Sequence, residues 1–332
     1  MAERHESTVT RHGLVVQHGA NRNLVLEDGG DPLDSAALWG CTLRGRLRRG
    51  RRERVRPVVI GDRVEFETAG EGQGSVTGTG VITAIDPRRN QVSRPQPSGG
   101  SHRRLEQVVV ANLDRLWVVA SLAQPPLNLR FVDRILAAAA LQGVDGGLVL
   151  NKVDLDEAPD PEPLRAVYEA LEVPVLLCSA TTAHGMEPLA DALHGRISAL
   201  VGLSGVGKTS LLRAVQPGLE LRVGSVGERH GHGRHTTTSS RLFWLPGCEG
   251  WVADTPGMRE FGLWGTVRRE LEHGFVESAA AAVDCRFRDC LHQGEPGCAV
   301  REAVDAGRID PGRYASYRAL LEELPARDDP WR

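Results

Sequence analysis

The apolar and polar positions change rhythm along the chain. From Gly13 to about Ile85 they alternate over short runs broken by glycine and aspartate: "GLVVQHG", "NLVLED", "CTLRGRLRRG", "PVVIGDRVEFET" and "TGVITAID". A period of two reads as half-buried strands. Four or five short strands with no convincing helix predict a small all-β barrel of OB-fold size over residues 13–87. The polar segment 1–12 is expected to be disordered. Residues 88–104 are rich in Pro, Gly, Ser and Arg and read as a basic linker.

From residue 105 the pattern lengthens. "LDRLWVVAS" reads as a buried strand, and "NLRFVDRILAAAALQG" as a helix. "GLVLNKVD" is a strand then a loop, "EPLRAVYEALE" a helix, "VPVLLCSA" a strand and "MEPLADALHG" a helix. "ISALVGLSGVGKTSLLRAV" is strand, loop and helix, and "GWVADTPG" a further strand and loop. Strands alternating with helices imply a mostly parallel sheet covered on both faces, here over residues 105–265. Residues 266–332 read as a small, mostly helical unit around a cysteine-rich middle.

With 332 residues the chain has room for two or three domains, and its 41% hydrophobic and 25% charged content is that of a globular protein. No apolar run approaches the roughly 18 residues of a membrane span. The polar start carries no signal-peptide core, so a cytoplasmic location and no membrane partner are expected. Six cysteines in a reducing compartment favour metal binding or free thiols over disulfides. Residues 1–104 hold 17 Arg against 12 Asp and Glu, a local excess of +5 within a chain of net charge -3. The chain has only two lysines, Lys152 and Lys208. Both fall in the motifs below.

"GLSGVGKT" fits the phosphate-loop pattern between a strand and a helix. Backbone N–H groups of Gly202, Leu203, Ser204, Gly205, Val206, Gly207 and the helix start through Ser210 would surround phosphate oxygens. Lys208 would reach the β and γ phosphates, and the Thr209 hydroxyl would ligate Mg²⁺. "DTPG" follows a strand 45 residues later, so Asp254 would hold the Mg²⁺ shell and the Gly257 amide would sense the γ-phosphate. In "NKVD" (Asn151, Lys152, Val153, Asp154), the Asp154 carboxylate accepts from guanine N1–H and N2–H₂. Adenine would leave it unpaired. Asn151 can meet the O6/N7 side, and the Lys152 stem can cover the ring. Ser179 and Ala180 end the next strand, where the Ala180 N–H could donate to O6.

The guanine motif therefore precedes the phosphate loop, the reverse of the usual GTPase order. Cutting a Ras-like chain before its fourth or fifth strand and joining the old ends gives this order without changing the sheet. The reversed order, "GRHTTT", "DTPGMREFGLW" and the cysteine pattern below together resemble the ribosome small-subunit-dependent GTPase A family (RsgA/YjeQ), from about residue 13 to 324. The resemblance implies an OB-fold, a circularly permuted GTPase domain and a zinc-binding domain. It also implies late maturation of the small (30S) ribosomal subunit, with GTP hydrolysis stimulated by that subunit. On it, "GRHTTT" is switch I. Thr237 is the threonine for Mg²⁺ and the γ-phosphate, with Thr236 and Thr238 as alternatives, and His235 is the candidate for positioning water. Met258 stands where Ras-like enzymes carry a water-orienting glutamine.

"CRFRDCLHQGEPGC" supplies Cys285, Cys290, His292 and Cys298, a closed set of three thiolates and one imidazole suited to one structural Zn²⁺. Residues 44–56 pack eight arginines with one glutamate. Arg44, Arg46, Arg48, Arg49, Arg51 and Arg52 read as contacts to ribosomal RNA phosphates, extended by Arg88, Arg89, Arg94, Arg103 and Arg104. With few aromatics nearby, backbone contact rather than base stacking is expected. The expected partners are the small subunit, its rRNA, GTP and GDP, with the protein a monomer. The competing readings are a non-catalytic GTP-binding RNA module and an ATP-dependent phosphotransferase.

Overall fold

The computed structural model describes residues 9–19, 22–45, 47, 57–71, 76–95, 106–219, 240–255, 261–263 and 265–325. Five strands close a barrel: β1 (Thr10–His18), β2 (Asn23–Glu27), β3 (Leu38–Leu43), β4 (Arg63–Glu71) and β5 (Gly78–Ile85). They join in the order β1-β2-β3-β5-β4, and β4 returns to β1, so no edge is left open. Only β3 and β5 run parallel. The inward residues of the alternation (Val15, Val25, Trp39, Cys41, Val64, Phe66 and Ile82) form the barrel core.

The stretch expected to be a linker contains a strand. β6 (Gln91–Pro95) pairs antiparallel with β7 (Glu106–Ala111). Val92, Val108 and Val110 are buried, and that apolar content outweighs the Pro- and Arg-rich surroundings.

The central sheet has β8 (Arg115–Ser121), β9 (Gly146–Asn151), β10 (Val175–Cys178), β11 (Ile197–Val201), β12 (Ser240–Leu245) and β13 (Gly250–Asp254). Their order is β10-β9-β8-β11-β13-β12, and all are parallel except β12. The middle strands are nearly continuous runs of buried residues, as a sheet covered on both faces requires. On one face lie α1 (Leu129–Leu141) and α2 (Glu162–Glu169), and on the other α3 (Met186–Leu193) and α4 (Lys208–Val215). Asn128 caps α1 by accepting from the Phe131 amide at 3.0 Å. The antiparallel β12 was not expected from "SRLFWL". It continues into the barrel, where Gln17 faces Arg241 and His18 faces Ser240 across β1.

The C-terminal unit consists of a 3₁₀ segment (Arg268–Gly274), α5 (Val276–Ala282), α6 (Ala299–Asp305) and α7 (Pro311–Glu323). It packs on α1 through Ala137, Leu271, Phe275, Tyr317, Leu320 and Leu321. A Cβ on Gly274 would lie 2.9 Å from the Ala137 carbonyl oxygen, so only glycine allows this approach. Among the described residues no helix is long and apolar enough to cross a membrane.

Candidate functional site

Every described nucleotide motif lies at the carboxyl end of a parallel strand. Ser179 follows β10, Asn151 ends β9, Gly202 follows β11 and Asp254 ends β13. Cys178 faces Asn151, Asn151 faces Ser121, and Ala199 faces Ala253 across the ladders. The sheet order thus lays the loops expected to read the base over β10 and β9 and those expected to read the phosphates over β11 and β13. This is the crevice at which open α/β sheets bind ligands.

The two halves are joined by a side chain. Asn151, 2% exposed, donates from Nδ2 to the Val206 carbonyl at 2.8 Å. A residue expected to read guanine therefore also braces the phosphate loop. The brace explains Gly207, whose φ is +96° and whose Cβ would lie 2.2 Å from Asn151 Nδ2. Gly207 precedes α4, so the positive end of that helix faces the loop. Lys208 Nζ donates to the carbonyls of Gly202 at 2.7 Å and Leu203 at 2.8 Å, which holds the lysine against the loop. Thr209 sits half-buried in the first turn of α4, and Ser210 next to it is exposed. Thr209 and Asp254 are hard oxygen donors on neighbouring elements, the kind of set Mg²⁺ takes.

On the base side, Val153 N–H donates to the Cys178 carbonyl at 3.3 Å and ties the NKVD loop to β10. Lys152 has φ +64°, and its Nζ donates to the Gln124 carbonyl. Asp154 is exposed, and its carboxylate is accessible to a base. Ser179 is fully buried, with Oγ accepting from the Thr182 amide at 3.1 Å, and Ala180 beside it is half-buried. His235, Thr236, Thr237, Thr238, Gly257 and Met258 lie outside the described residues.

Cys285, Cys290, His292 and Cys298 come together, with one ligand atom from each and all four atoms within 4.8 Å of one another. Burial pushes the Cys290 thiol up to about 12. A cation at the centre is what would make thiolates favourable there. Sequence spacing missed Glu272, whose Oε2 lies 2.9 Å from His292 Nε2. Cys41, Cys178 and Cys248 are buried elsewhere, and burial pushes Cys41 and Cys178 up to about 12 as well.

The basic surface needs correction. Arg88, expected to extend it, is buried against Asp62 with Nε 2.6 Å from Oδ1 and an Nη 2.8 Å from Oδ2. Its carboxylate partner is distant in sequence, so composition alone placed it on the wrong side of the surface. Arg89 pairs with Asp114 at 2.7 Å, and Arg44 pairs with Glu67 at 2.6 Å. Arg46, Arg48, Arg49, Arg51, Arg52, Arg103 and Arg104 lie outside the described residues.

Comparison with known proteins agrees with this geometry. The family model described as RsgA GTPase matches residues 85–264. The chain is 42% identical over 320 residues to the small ribosomal subunit biogenesis GTPase RsgA of Azotobacter vinelandii, covering 95% of this chain and 86% of the relative. It is 40% identical to the protein of that name from Gemmatimonas aurantiaca, covering 96% and 99%. Among solved structures, YjeQ from Thermotoga maritima superposes with a TM-score of 0.72 at 32% identity, covering 96% of this chain and 100% of that one. The circularly permuted GTPase YloQ shares the fold, with a TM-score of 0.71. With its guanine loop ahead of its phosphate loop in sequence and braced to it in space, this chain belongs to the RsgA GTPase family.

Proposed function

We propose that this GTPase binds the small ribosomal subunit, acts late in its maturation, and hydrolyses GTP faster when the subunit is bound. The Asn151–Val206 hydrogen bond carries the nucleotide part of this reading, because it ties the loop proposed to read the base to the loop proposed to read the phosphates. The names of the curated relatives support the ribosomal part.

In this reading Asp154 selects guanine, and Lys208 offsets the charge of the β and γ phosphates. Thr209, Asp254 and Thr237 hold Mg²⁺, which when bound screens the charge that develops on the leaving phosphates. His235 positions the attacking water, the task Met258 cannot perform. Cys285, Cys290, His292 and Cys298 hold one structural Zn²⁺, and no coordination position is left over for chemistry. The arginines of 44–56 approach rRNA phosphates. The protein works as a cytoplasmic monomer without a membrane partner.

The test is co-sedimentation with purified small subunits, with the protein loaded with a non-hydrolysable GTP analogue or with GDP. Tighter binding of the triphosphate form is expected. Equal binding of the two forms would overturn a nucleotide-controlled cycle.

A further inference from the structure

His292 has two ring nitrogens, and its surroundings give them different work. Nδ1 lies 3.4 Å from Cys298 Sγ and 3.6 Å from Cys285 Sγ. Nε2 points the other way, to Glu272 Oε2 at 2.9 Å. A carboxylate only accepts, so Nε2–H is the donor of this bond, which leaves Nδ1 as the nitrogen turned toward the thiols' centre. The His292 side chain is 1% exposed and that of Glu272 is 23% exposed, so the bond is largely shielded from solvent.

The backbone around His292 is fixed independently. His292 has φ +59°. Tyr314 Oη donates to the His292 carbonyl at 2.5 Å, and Tyr317 Oη donates to the Leu291 carbonyl at 3.3 Å. These contacts place the loop, and the buried ring packs beside Tyr317 with centroids 5.9 Å apart. Glu272 supplies the hydrogen bond that sets which ring nitrogen faces the thiols. It belongs to the 3₁₀ segment whose last residue, Gly274, packs directly on Ala137 of α1.

We propose that Glu272 is a positioning residue for the metal. It holds His292 in the tautomer and orientation that present Nδ1, and it ties the metal cluster to the segment that docks the C-terminal unit on the GTPase sheet. The proposal rests on the zinc reading of the four-residue cluster. Metal-bound histidines whose second nitrogen donates to a carboxylate lose about 10–100-fold in metal affinity when that carboxylate is removed.

The test is Zn²⁺ affinity of the full-length protein, measured by competition with a chromophoric chelator, for the parent, Glu272→Ala and Glu272→Gln. Glu272→Ala is expected to weaken Zn²⁺ by about 10–100-fold. Glu272→Gln keeps an oxygen that can accept from Nε2–H and should recover part of the loss. Long-range ¹H–¹⁵N spectra of the zinc-loaded parent, labelled at histidine, should show metal at Nδ1 and the proton at Nε2 of His292. That readout stands even if Glu272→Ala fails to fold. Unchanged Zn²⁺ affinity in Glu272→Ala, or metal at Nε2 in the parent, overturns the role of Glu272 while leaving the zinc site intact. A purified parent that takes up no Zn²⁺ overturns the zinc reading and this proposal together.

Discussion

The joint between the barrel and the β6–β7 ribbon that follows it, and the joint between the nucleotide-binding sheet and the C-terminal helices, are each closed by a buried arginine. At the first, Arg88 meets one carboxylate, Asp62, and its remaining donors reach Gln91 Oε1 at 3.0 Å and the Pro57 carbonyl at 3.1 Å. Asp62 also accepts from the Val59 amide at 2.8 Å. At the second, Arg313 of α7 meets two carboxylates: Asp133 of α1 at 2.6 Å and Glu277 of α5 at 2.8 Å. It lies over the Phe275 ring at 4.5 Å and the Tyr168 ring at 5.6 Å, and Tyr168 Oη donates to Asp133 at 2.7 Å. Burial works against the charged Arg313, but Asp133 and Glu277 outweigh it and its pKa rises. The first joint is a neutral pair that shares its load with backbone. The second concentrates two negative charges on one cation that links three helices, so it has more to lose.

Removing the cation tests that difference most strongly. Arg313→Met would leave two buried carboxylates uncompensated, and a loss at the upper end of about 3–5 kcal/mol is expected in urea unfolding. Arg88→Met leaves only Asp62, which keeps its backbone donor, so a loss of about 3 kcal/mol is expected. If Arg88→Met proved the more damaging, the second carboxylate would not be the feature that matters. Pairing Arg88→Met with Asp62→Leu should restore much of the stability, because no orphaned charge then remains.

A neutral brace inside the core sharpens the contrast. Asn151→Ala removes the donor to Val206 and should cost about 1–3 kcal/mol. Read as GTP affinity by calorimetry, that is about a 5–150-fold weakening. An affinity equal to the parent's would show that the two loops are held together by other means.

The smallest effect is expected at Glu295. Burial would raise its carboxyl, but backbone amides of Gly294, Glu295, Leu291 and Gln293 outweigh it and hold the group at about 2, below its ordinary 4.5. A depressed folded pKa contributes stability that is present above the ordinary value and fades as pH falls toward 2. Urea midpoints at neutral pH and near pH 3 should therefore drop less for Glu295→Gln than for the parent. Equal drops would mean that the amides do not hold this carboxylate.

The same contrast marks what was legible in the sequence. The two lysines are in the nucleotide motifs, Lys208 on the phosphate loop and Lys152 on the guanine loop. Each motif is a short local string that a sequence pattern picks out, with the positive φ on Gly205 and Gly207 in one and on Lys152 in the other. The Cys285, Cys290, His292 and Cys298 cluster was readable for the same reason, since its four residues fall in one loop. The barrel and the alternating α/β unit followed from period two giving way to strand–helix alternation. Arginine gave no such signal. With 38 of them, nothing local separates Arg88, buried on Asp62, from its exposed neighbour Arg89. Glu272 and Arg313 likewise act on partners distant in sequence, which no spacing rule encodes. β12 was missed because "SRLFWL" lacks a clean alternation: it is an antiparallel strand that joins two units.

The most direct test of the account is GTP hydrolysis by the purified protein alone, with small ribosomal subunits, and with large ones. The account predicts slow turnover alone, strong stimulation by small subunits, and none by large subunits. A rate unchanged by small subunits would contradict it and leave a GTPase whose trigger lies elsewhere.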